Sequence, residues 1–319
     1  MAPRDPVLAI DVGGTKIAVG LVEPGGRLAS WAQAETPRGL EAEQLWRTLD
    51  ALCTRLLAGE NIGPGNGGLA GVGCGCGGPL LWPEGRVSPL NIPAWRGFPL
   101  RGRLRERFPG ITVRLHNDAI CMTVGEHWRG AGRGRRTMLG MVVSTGVGGG
   151  LVLDGRLING ATGNAGHIGH VVVDPEGPPC VCGGRGCVEA IARGPALTAW
   201  AQSQGWRTGQ AWATAKDLAD DAAHGHPVGL AALRRAGRAL GIAIASATHL
   251  CDLEVVAVGG GLAQAGSLLF DPLEEALRAH VGLDYARDVR VVPAALGQSA
   301  GLIGAAALIL AADRYWAAE

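Results

Sequence analysis

Two glycine-rich segments of similar design constrain this sequence most. LAIDVGGTKIAVGLVEPGGRL begins at Leu8, and LGMVVSTGVGGGLVLDGRL begins at Leu139. Each reads as a strand, a glycine-rich bend, a second strand and a turn. The repetition predicts a chain of two related halves, each opening with a glycine-bent hairpin.

The remainder of the chain alternates between strand and helix patterns, which predicts layered α/β domains. Buried strands are expected at Leu69–Val72, Ile111–Leu115 and Glu254–Val258, and helices at Glu41–Leu57, Arg101–Phe108, Leu230–Leu250 and Gly301–Ala312. No Ser- or Pro-rich linker divides the sequence, and the break after the first half is expected near Asn117–Asp118.

Composition excludes several classes of protein. The 319 residues carry 29 Lys plus Arg against 28 Asp plus Glu, a net charge of +1, which argues against a broad electrostatic grip on nucleic acid or anionic membrane. The sequence contains no uninterrupted apolar run of about 18 residues, so no membrane span is expected. The first five residues lack the apolar core of an export signal, so we expect a cytoplasmic protein with reduced or metal-bound cysteines.

Three glycine loops follow predicted strands and are candidate phosphate-binding sites. In Asp11–Lys16 (DVGGTK), the glycines let backbone N–H groups face a phosphate, Thr15 adds a hydroxyl donor, and Asp11 can hold Mg²⁺ through water. Ser144–Gly150 is a second candidate cradle, and Gly259–Gly261 is a place where a nucleotide could approach. Each loop alone is better explained as a structural turn, but three such loops at strand ends, one with a leading Asp, together favour phosphate binding.

The segment His116-Asn117-Asp118 directly follows the predicted strand Ile111–Leu115. A carboxylate at that position can accept a proton from a hydroxyl, which is the base that phosphoryl transfer needs. The alternative is a helix N-cap, since Asn and Asp are both good caps.

A cysteine cluster indicates a metal site. Cys180, Cys182 and Cys187 are close in sequence, and His170 precedes them by ten residues. Three thiolates and one imidazole form a closed tetrahedral zinc set, so we predict a structural Zn²⁺. The alternative is a loop of reduced cysteines.

Together these motifs resemble the ROK family of sugar kinases and sugar-responsive repressors. DVGGTK at Asp11–Lys16 and STGVGGG at Ser144–Gly150 match its phosphate motifs. GNAGHIGH at Gly163–His170, followed by CVCGGRGCVE at Cys180–Glu189, matches its sugar-and-zinc signature. The resemblance extends from Asp11 to about Gly304.

The resemblance implies a duplicated ribonuclease-H-like, actin/hexokinase-like fold of two lobes, with ATP and sugar in the interlobe cleft. The small lobe would be residues 1–117, completed by the C-terminal helix 301–319. The large lobe would be residues 118–300, with the zinc loop at 170–187.

The resemblance also implies roles for individual residues. Asp118 would be the general base, and sugar would be bound by Asn91, Asn117, Asp118, His167, His170, Glu189 and the backbone of Gly77 and Gly78. Phosphates, Mg²⁺ and nucleotide would be bound by Asp11, Gly13, Gly14, Thr15, Lys16, Thr145, Gly146 and Gly260, the role of Lys16 being the least defined.

One position departs from the family pattern. The family usually has A-G-E-x-G-H, and here His167 stands in place of the glutamate. A carboxylate accepts two hydroxyl protons, whereas a neutral imidazole accepts one and donates one. Either His167 alters the choice of sugar or it fills the same space harmlessly.

The leading hypothesis is an ATP-dependent hexose kinase acting at C6, with glucose favoured. N-acetylhexosamines, fructose, allose or a cyclitol are alternative substrates, and polyphosphate is an alternative donor. A sugar-responsive regulator is a second hypothesis, although ten residues before Asp11 are too few for a helix-turn-helix module. A catalytically silent sugar sensor is a third hypothesis. Family members often form homodimers or homotetramers, which we expect here too.

Overall fold

The structure, a computed structural model, describes residues 5–37, 39, 41–62, 68–208 and 212–316. The chain forms two compact units. Unit 1 comprises Met1–Gly134, Gly150–Ala165 and Ala295–Glu319, and unit 2 comprises Arg135–Gly149 and Gly166–Ala294. Within the described ranges, every helix is too short or too polar to cross a bilayer.

The secondary structure alternates between strands and helices along both halves of the chain. The strands are β1 (Val7–Val12), β2 (Lys16–Val22), β3 (Leu28–Glu35), β4 (Gly71–Cys76), β5 (Leu80–Leu81), β6 (Arg86–Val87), β7 (Val113–Asn117), β8 (Met138–Val143), β9 (Val147–Leu153), β10 (Arg156–Leu157), β11 (Val255–Gly259) and β12 (Arg290–Pro293). The helices are α1 (Ala42–Gly59), α2 (Leu100–Arg107), α3 (Asp118–Arg129), α4 (Val188–Ala192), α5 (Gly194–Ser203), α6 (Ala215–Ala223), α7 (Pro227–Cys251), α8 (Ser267–His280), α9 (Ala300–Leu310) and α10 (Ala312–Tyr315).

The first sheet has the order β3-β2-β1-β4-β7 and is covered on both faces. Side chains alternate between faces along a strand, so Leu8 and Ile10 of β1 pack toward the core that contains α1 and α2. Val7 and Ala9 face the opposite core, which contains α3 and α9. The near-continuous burial of β1 and β4 is typical of strands covered on both faces.

The second sheet repeats this plan with the order β10-β9-β8-β11-β12. In each sheet, three consecutive strands lie side by side and two strands from later in the chain follow. β11 runs parallel to both β8 and β12, as β4 runs parallel to both β1 and β7. The duplication predicted from the two glycine-bent hairpins is therefore confirmed.

The predicted elements are observed with shifted boundaries. The strand expected at Ile111–Leu115 runs from Val113 to Asn117, because its pairing with β4 continues through Cys76 and Asn117. After Gly259 a short 3-10 helix, Gly261–Ala265, comes before α8. The predicted final helix ends at Leu310 and is followed by α10.

The compact units differ from the predicted lobes at their first boundary. Unit 1 continues past Asn117 to Gly134, so α3 belongs to it. The physical reason is that α3 packs closely against α9, which is in the same unit. The lobe assignment itself stays a prediction.

The contact between α3 and α9 depends on glycines. A Cβ at Gly304 would overlap the carbonyl oxygen of Cys121, and a Cβ at Gly125 would overlap that of Ala300. The two helix backbones therefore lie in direct contact. Since Asp118 begins α3, this contact fixes the position of the candidate base.

We expect Gly304→Ala to destabilise the protein by about 1–3 kcal/mol, because the added methyl group has no space between the helices. The measurement is the midpoint of thermal unfolding. Gly59→Ala is the matched control. Gly59 is the exposed last residue of α1, and nothing lies within 4 Å of an added Cβ. A Gly304→Ala midpoint as high as that of the control would refute the close-contact account.

Candidate active site

The first part of the site lies at one edge of the first sheet. β1, β4 and β7 are parallel, so their carboxyl ends lie together, with Val12 paired to Cys76 and Cys76 paired to Asn117. The segments that continue from these ends carry the predicted residues Gly13–Thr15, Gly77 and Gly78, and Asp118. The structure thus brings together three groups that are far apart in the sequence.

Two carboxylates face this edge, Asp11 near the end of β1 and Asp118 at the start of α3. Burial, followed by the negative charge of Asp118, raises the pKa of Asp11 from 3.8 to about 7, while the Lys16 charge opposes the shift. Gly75 lies next to both positions: it pairs with Asp11 across β1 and β4, and a Cβ on it would lie 3.5 Å from Cα of Asp118. Their neighbours are glycines: a Cβ at Gly301 would lie 2.6 Å from Asp11 Oδ2, and one at Gly77 would lie 3.9 Å from Asp118 Oδ2.

Asn117 is the N-cap of α3. Its Oδ1 accepts hydrogen bonds from the backbone N–H groups of Ala119 at 3.0 Å and Ile120 at 3.3 Å. Its Nδ2 is directed toward Gly78, where a Cβ would come within 2.9 Å. The capping alternative therefore describes Asn117, while Asp118 occupies the first helical turn, where a negative charge is favoured.

The first glycine loop is a tight bend between β1 and β2. The Gly13 N–H donates to the Lys16 carbonyl at 2.9 Å, and the Thr36 hydroxyl donates to the Gly13 carbonyl at 2.7 Å. A Cβ at Gly14 would lie 2.5 Å from Cβ of Asn91. The predicted sugar residue Asn91 and the predicted phosphate loop are therefore in contact.

Lys16 has a partner that the sequence did not indicate. Its Nζ donates to Oε1 of Gln298 at 3.0 Å, a pair separated by 282 residues in the chain. No local pattern could have found Gln298 or the approach of Gly301 to Asp11. Gln298 lies in the turn just before α9, and Gly301 lies in the first turn of α9.

Unit 2 has its own group of predicted residues, at the end of β8. The bend is shorter than the predicted loop, because the last glycines lie in β9 and only 144–146 connect the strands. The Ser144 N–H donates to the Gly146 carbonyl at 2.9 Å. Gly260 follows the parallel strand β11 at a φ of +93°, and a Cβ there would overlap the carbonyl of Val143. Thr145, Gly146 and Gly260 therefore lie at one edge of this sheet.

Glu189 contacts the second glycine loop. It lies in the short helix α4, is largely buried, and its Oε2 accepts the Val147 N–H at 2.9 Å. A Cβ at Gly146 would come within 2.9 Å of the same oxygen. The sequence signature singled out Glu189 but not this loop contact.

The four predicted zinc ligands lie together in unit 2. The ligand atoms of His170, Cys180, Cys182 and Cys187 all lie within 4.8 Å of one another. Nδ1 of His170 is 3.8 Å from Sγ of Cys180, and Sγ of Cys182 is 3.7 Å from Sγ of Cys187. The His167 ring lies nearly parallel to the His170 ring, with 6.3 Å between centroids.

Comparison with known proteins gives matches over nearly the whole chain. The family model of the ROK family matches residues 7–312. A glucokinase of Thermotoga maritima is 34% identical, covering 96% of this chain and 98% of the relative. An N-acetylmannosamine kinase of Yersinia pestis is 36% identical, covering 94% and 96%. A Streptomyces griseus ROK family glucokinase, solved with glucose and AMPPNP, is 31% identical with a TM-score of 0.80, covering 95% and 98%.

These matches confirm the predicted actin/hexokinase-like fold and, at the level of enzyme class, the prediction of an ATP-dependent sugar kinase. The family match covers almost all of the chain, and the curated relatives match it almost from end to end. The chain belongs to the ROK family.

Proposed function

We propose that this protein transfers the γ-phosphoryl group of Mg-ATP to a hexose hydroxyl, at C6 and with glucose as the favoured substrate. The observation that carries this proposal is the placement of Asp11 and Asp118 where parallel strands end, with the glycine backbone of Gly75 next to both. A carboxylate so placed has room for a ligand beside it, because Gly77 presents no side chain.

In the proposed reaction, Asp118 accepts the proton of the sugar hydroxyl as that oxygen bonds to the γ-phosphorus. The bond from phosphorus to the bridging oxygen breaks, and ADP leaves. Asp118 starts α3, and the capped helix holds its backbone in place. Asn117, Asn91 and the backbone of Gly77 and Gly78 would orient the sugar hydroxyls.

Backbone N–H groups of the two glycine loops would bind the phosphates. The Gly13 N–H already closes the first bend, so Gly14 and Thr15 are the proposed donors there. Thr145 and Gly146 are the proposed donors in the second loop, and Gly260 leaves space for the nucleotide. Lys16, bonded to Gln298, would contribute positive charge near Asp11.

Asp11 fits the requirement for a magnesium ligand. Mg²⁺ prefers carboxylate oxygen and retains several waters, and a carboxylate whose pKa is raised by burial and by a neighbouring carboxylate gains from a nearby cation. The ion would supply neutralisation of the charge on the transferring phosphoryl group. Asp11 would hold it through water.

The cysteine cluster fits zinc by ligand type and by spacing. Tetrahedral Zn²⁺ with Zn–S distances of about 2.3 Å places two sulfur atoms about 3.8 Å apart. The Cys182–Cys187 separation of 3.7 Å agrees with this value. Nδ1 of His170 is the nitrogen beside the sulfurs, so the opposite nitrogen, Nε2, is the one we propose to meet the sugar.

The second candidate substrate is N-acetylmannosamine. Kinases of that specificity are among the relatives, at 35–36% identity. His167 also favours it, because an imidazole N–H can donate to an acetamido carbonyl, whereas a carboxylate can only accept. Assays with both sugars and a hexose panel, with ATP or polyphosphate as donor, decide between them by kcat/KM. A homodimer or homotetramer stays a prediction.

Asp118→Ala should lower kcat by at least about a hundredfold, because the general base is lost, while sugar binding and the unfolding midpoint stay close to those of the parent. Steady-state kinetics and calorimetric sugar titration measure the two effects. Near-normal turnover would remove Asp118 from its proposed role. No ADP formation by the parent protein with any sugar, combined with tight sugar binding, would favour the sensor or regulator instead.

Asp11 should make the stability of the metal-free protein depend on pH. Its pKa is about 7 when folded and 3.8 ordinarily, so its contribution is complete below about pH 4 and is lost as the pH rises through 7. Asn at position 11 does not titrate, so the unfolding midpoint of Asp11→Asn should rise relative to that of the parent from about pH 4 to about pH 7. If the difference between the unfolding midpoints of Asp11→Asn and the parent does not change with pH, the raised pKa of Asp11 is contradicted.

Zinc should co-purify with the parent at about one ion per chain, and Cys182→Ser should lose most of it and bind sugar more weakly. The weaker binding would follow from loss of the constraint on His170. Cys251→Ser is the control, because Cys251 lies outside the cluster. Metal analysis that finds no zinc in the parent would overturn the zinc proposal.

A further inference from the structure

His116 is a fully buried histidine next to the candidate base. It occupies the second-last position of β7, two residues before Asp118. Its ring packs edge-on against Trp316, with 6.5 Å between centroids. A buried polar ring in this position needs hydrogen-bond partners on both nitrogens.

The two ring nitrogens have different partners, and these define the tautomer. Nδ1 accepts the backbone N–H of Asn117 at 2.9 Å. A nitrogen that accepts carries no proton, so the proton of the neutral ring is on Nε2. Nε2 is 2.9 Å from Oδ1 of Asn159 and donates to it.

Asn159 in turn closes a loop. Its backbone carbonyl accepts the Ala165 N–H at 3.0 Å, and the side chain is largely buried. By sequence, this loop leads directly into His167 and His170. The His116 imidazole is therefore hydrogen-bonded to two segments of unit 1. One is the strand end that carries Asn117, and the other is the loop at 159–165.

We propose that His116 is a positioning residue for phosphoryl transfer. Its Nδ1 holds the peptide of Asn117, and hence the start of α3 with Asp118, while its Nε2–H holds the loop at 159–165, which continues in the sequence to His167 and His170. This inference rests on the proposed kinase function, since it assigns consequences for turnover and sugar affinity to two separate hydrogen bonds.

Two variants of similar shape to histidine remove the two hydrogen bonds of His116 one at a time. His116→Asn places an oxygen where Nδ1 was, which keeps the acceptor for the Asn117 N–H but loses the bond to Asn159. His116→Gln places an amide N–H near Nε2, which keeps the bond to Asn159 but loses the acceptor. A merely structural role would lower the unfolding midpoint in both variants without separating kcat from KM.

We expect His116→Gln to lower kcat by about 10–100-fold with the sugar KM nearly unchanged, because Asp118 is misplaced. His116→Asn should keep kcat within about threefold and raise the sugar KM by about tenfold, equal to 1.4 kcal/mol of binding. Wild-type kcat in His116→Gln, or the same change in both variants, overturns the inference.

The tautomer can be tested on the parent protein by ¹⁵N–¹H correlation of its imidazole groups, which is independent of activity and of the folding of variants. A proton on Nε2 and none on Nδ1 of His116 supports the inference, and a proton on Nδ1 overturns it. Loss of turnover in Asp118→Ala with normal kinetics in His116→Gln leaves the proposed function intact and refutes only the role of His116.

Discussion

The site depends on holding two carboxylates close together where parallel strands end. Burial of Asp11 is the main cost of this arrangement, and repulsion from Asp118 adds to it. The N-terminus of α3 stabilises the negative charge of Asp118, whose Oδ1 accepts the Ala119 N–H at 2.8 Å. The cost is typical of sites where perturbed ionisation serves chemistry, since a cation and a substrate relieve it.

The surrounding packing follows from that requirement. α3 can bring Asp118 to the strand ends only because α9 approaches it without intervening side chains at Gly125 and Gly304. The first turn of α9 also supplies Gly301 beside Asp11, and the segment before the helix supplies Gln298 for Lys16. The C-terminal part of the chain is therefore a component of the first half's site.

Much of the fold could be predicted because its signals are local. Apolar runs bounded by glycine-rich bends and turns identified β1, β2 and β8, and the long Ala-rich helix matched α7 closely. β3 escaped prediction because it is an edge strand whose residues alternate between half-buried and exposed, with polar residues among them. α4, only five residues long, is set by packing and not by its own periodicity. The cysteine spacing predicted the cluster, whereas the contacts of Lys16 and Glu189 depend on long-range folding that no window of sequence contains.

The short helix α4 links the cysteine cluster to the second glycine loop. Cys187 immediately precedes this helix, and Glu189 within it accepts a hydrogen bond from the second glycine loop. With zinc bound as proposed, the ion and the nucleotide loop are connected through three consecutive residues. Chelators in a purification buffer would then act as hidden inhibitors, and metal content would have to accompany any measured affinity for the phosphoryl donor.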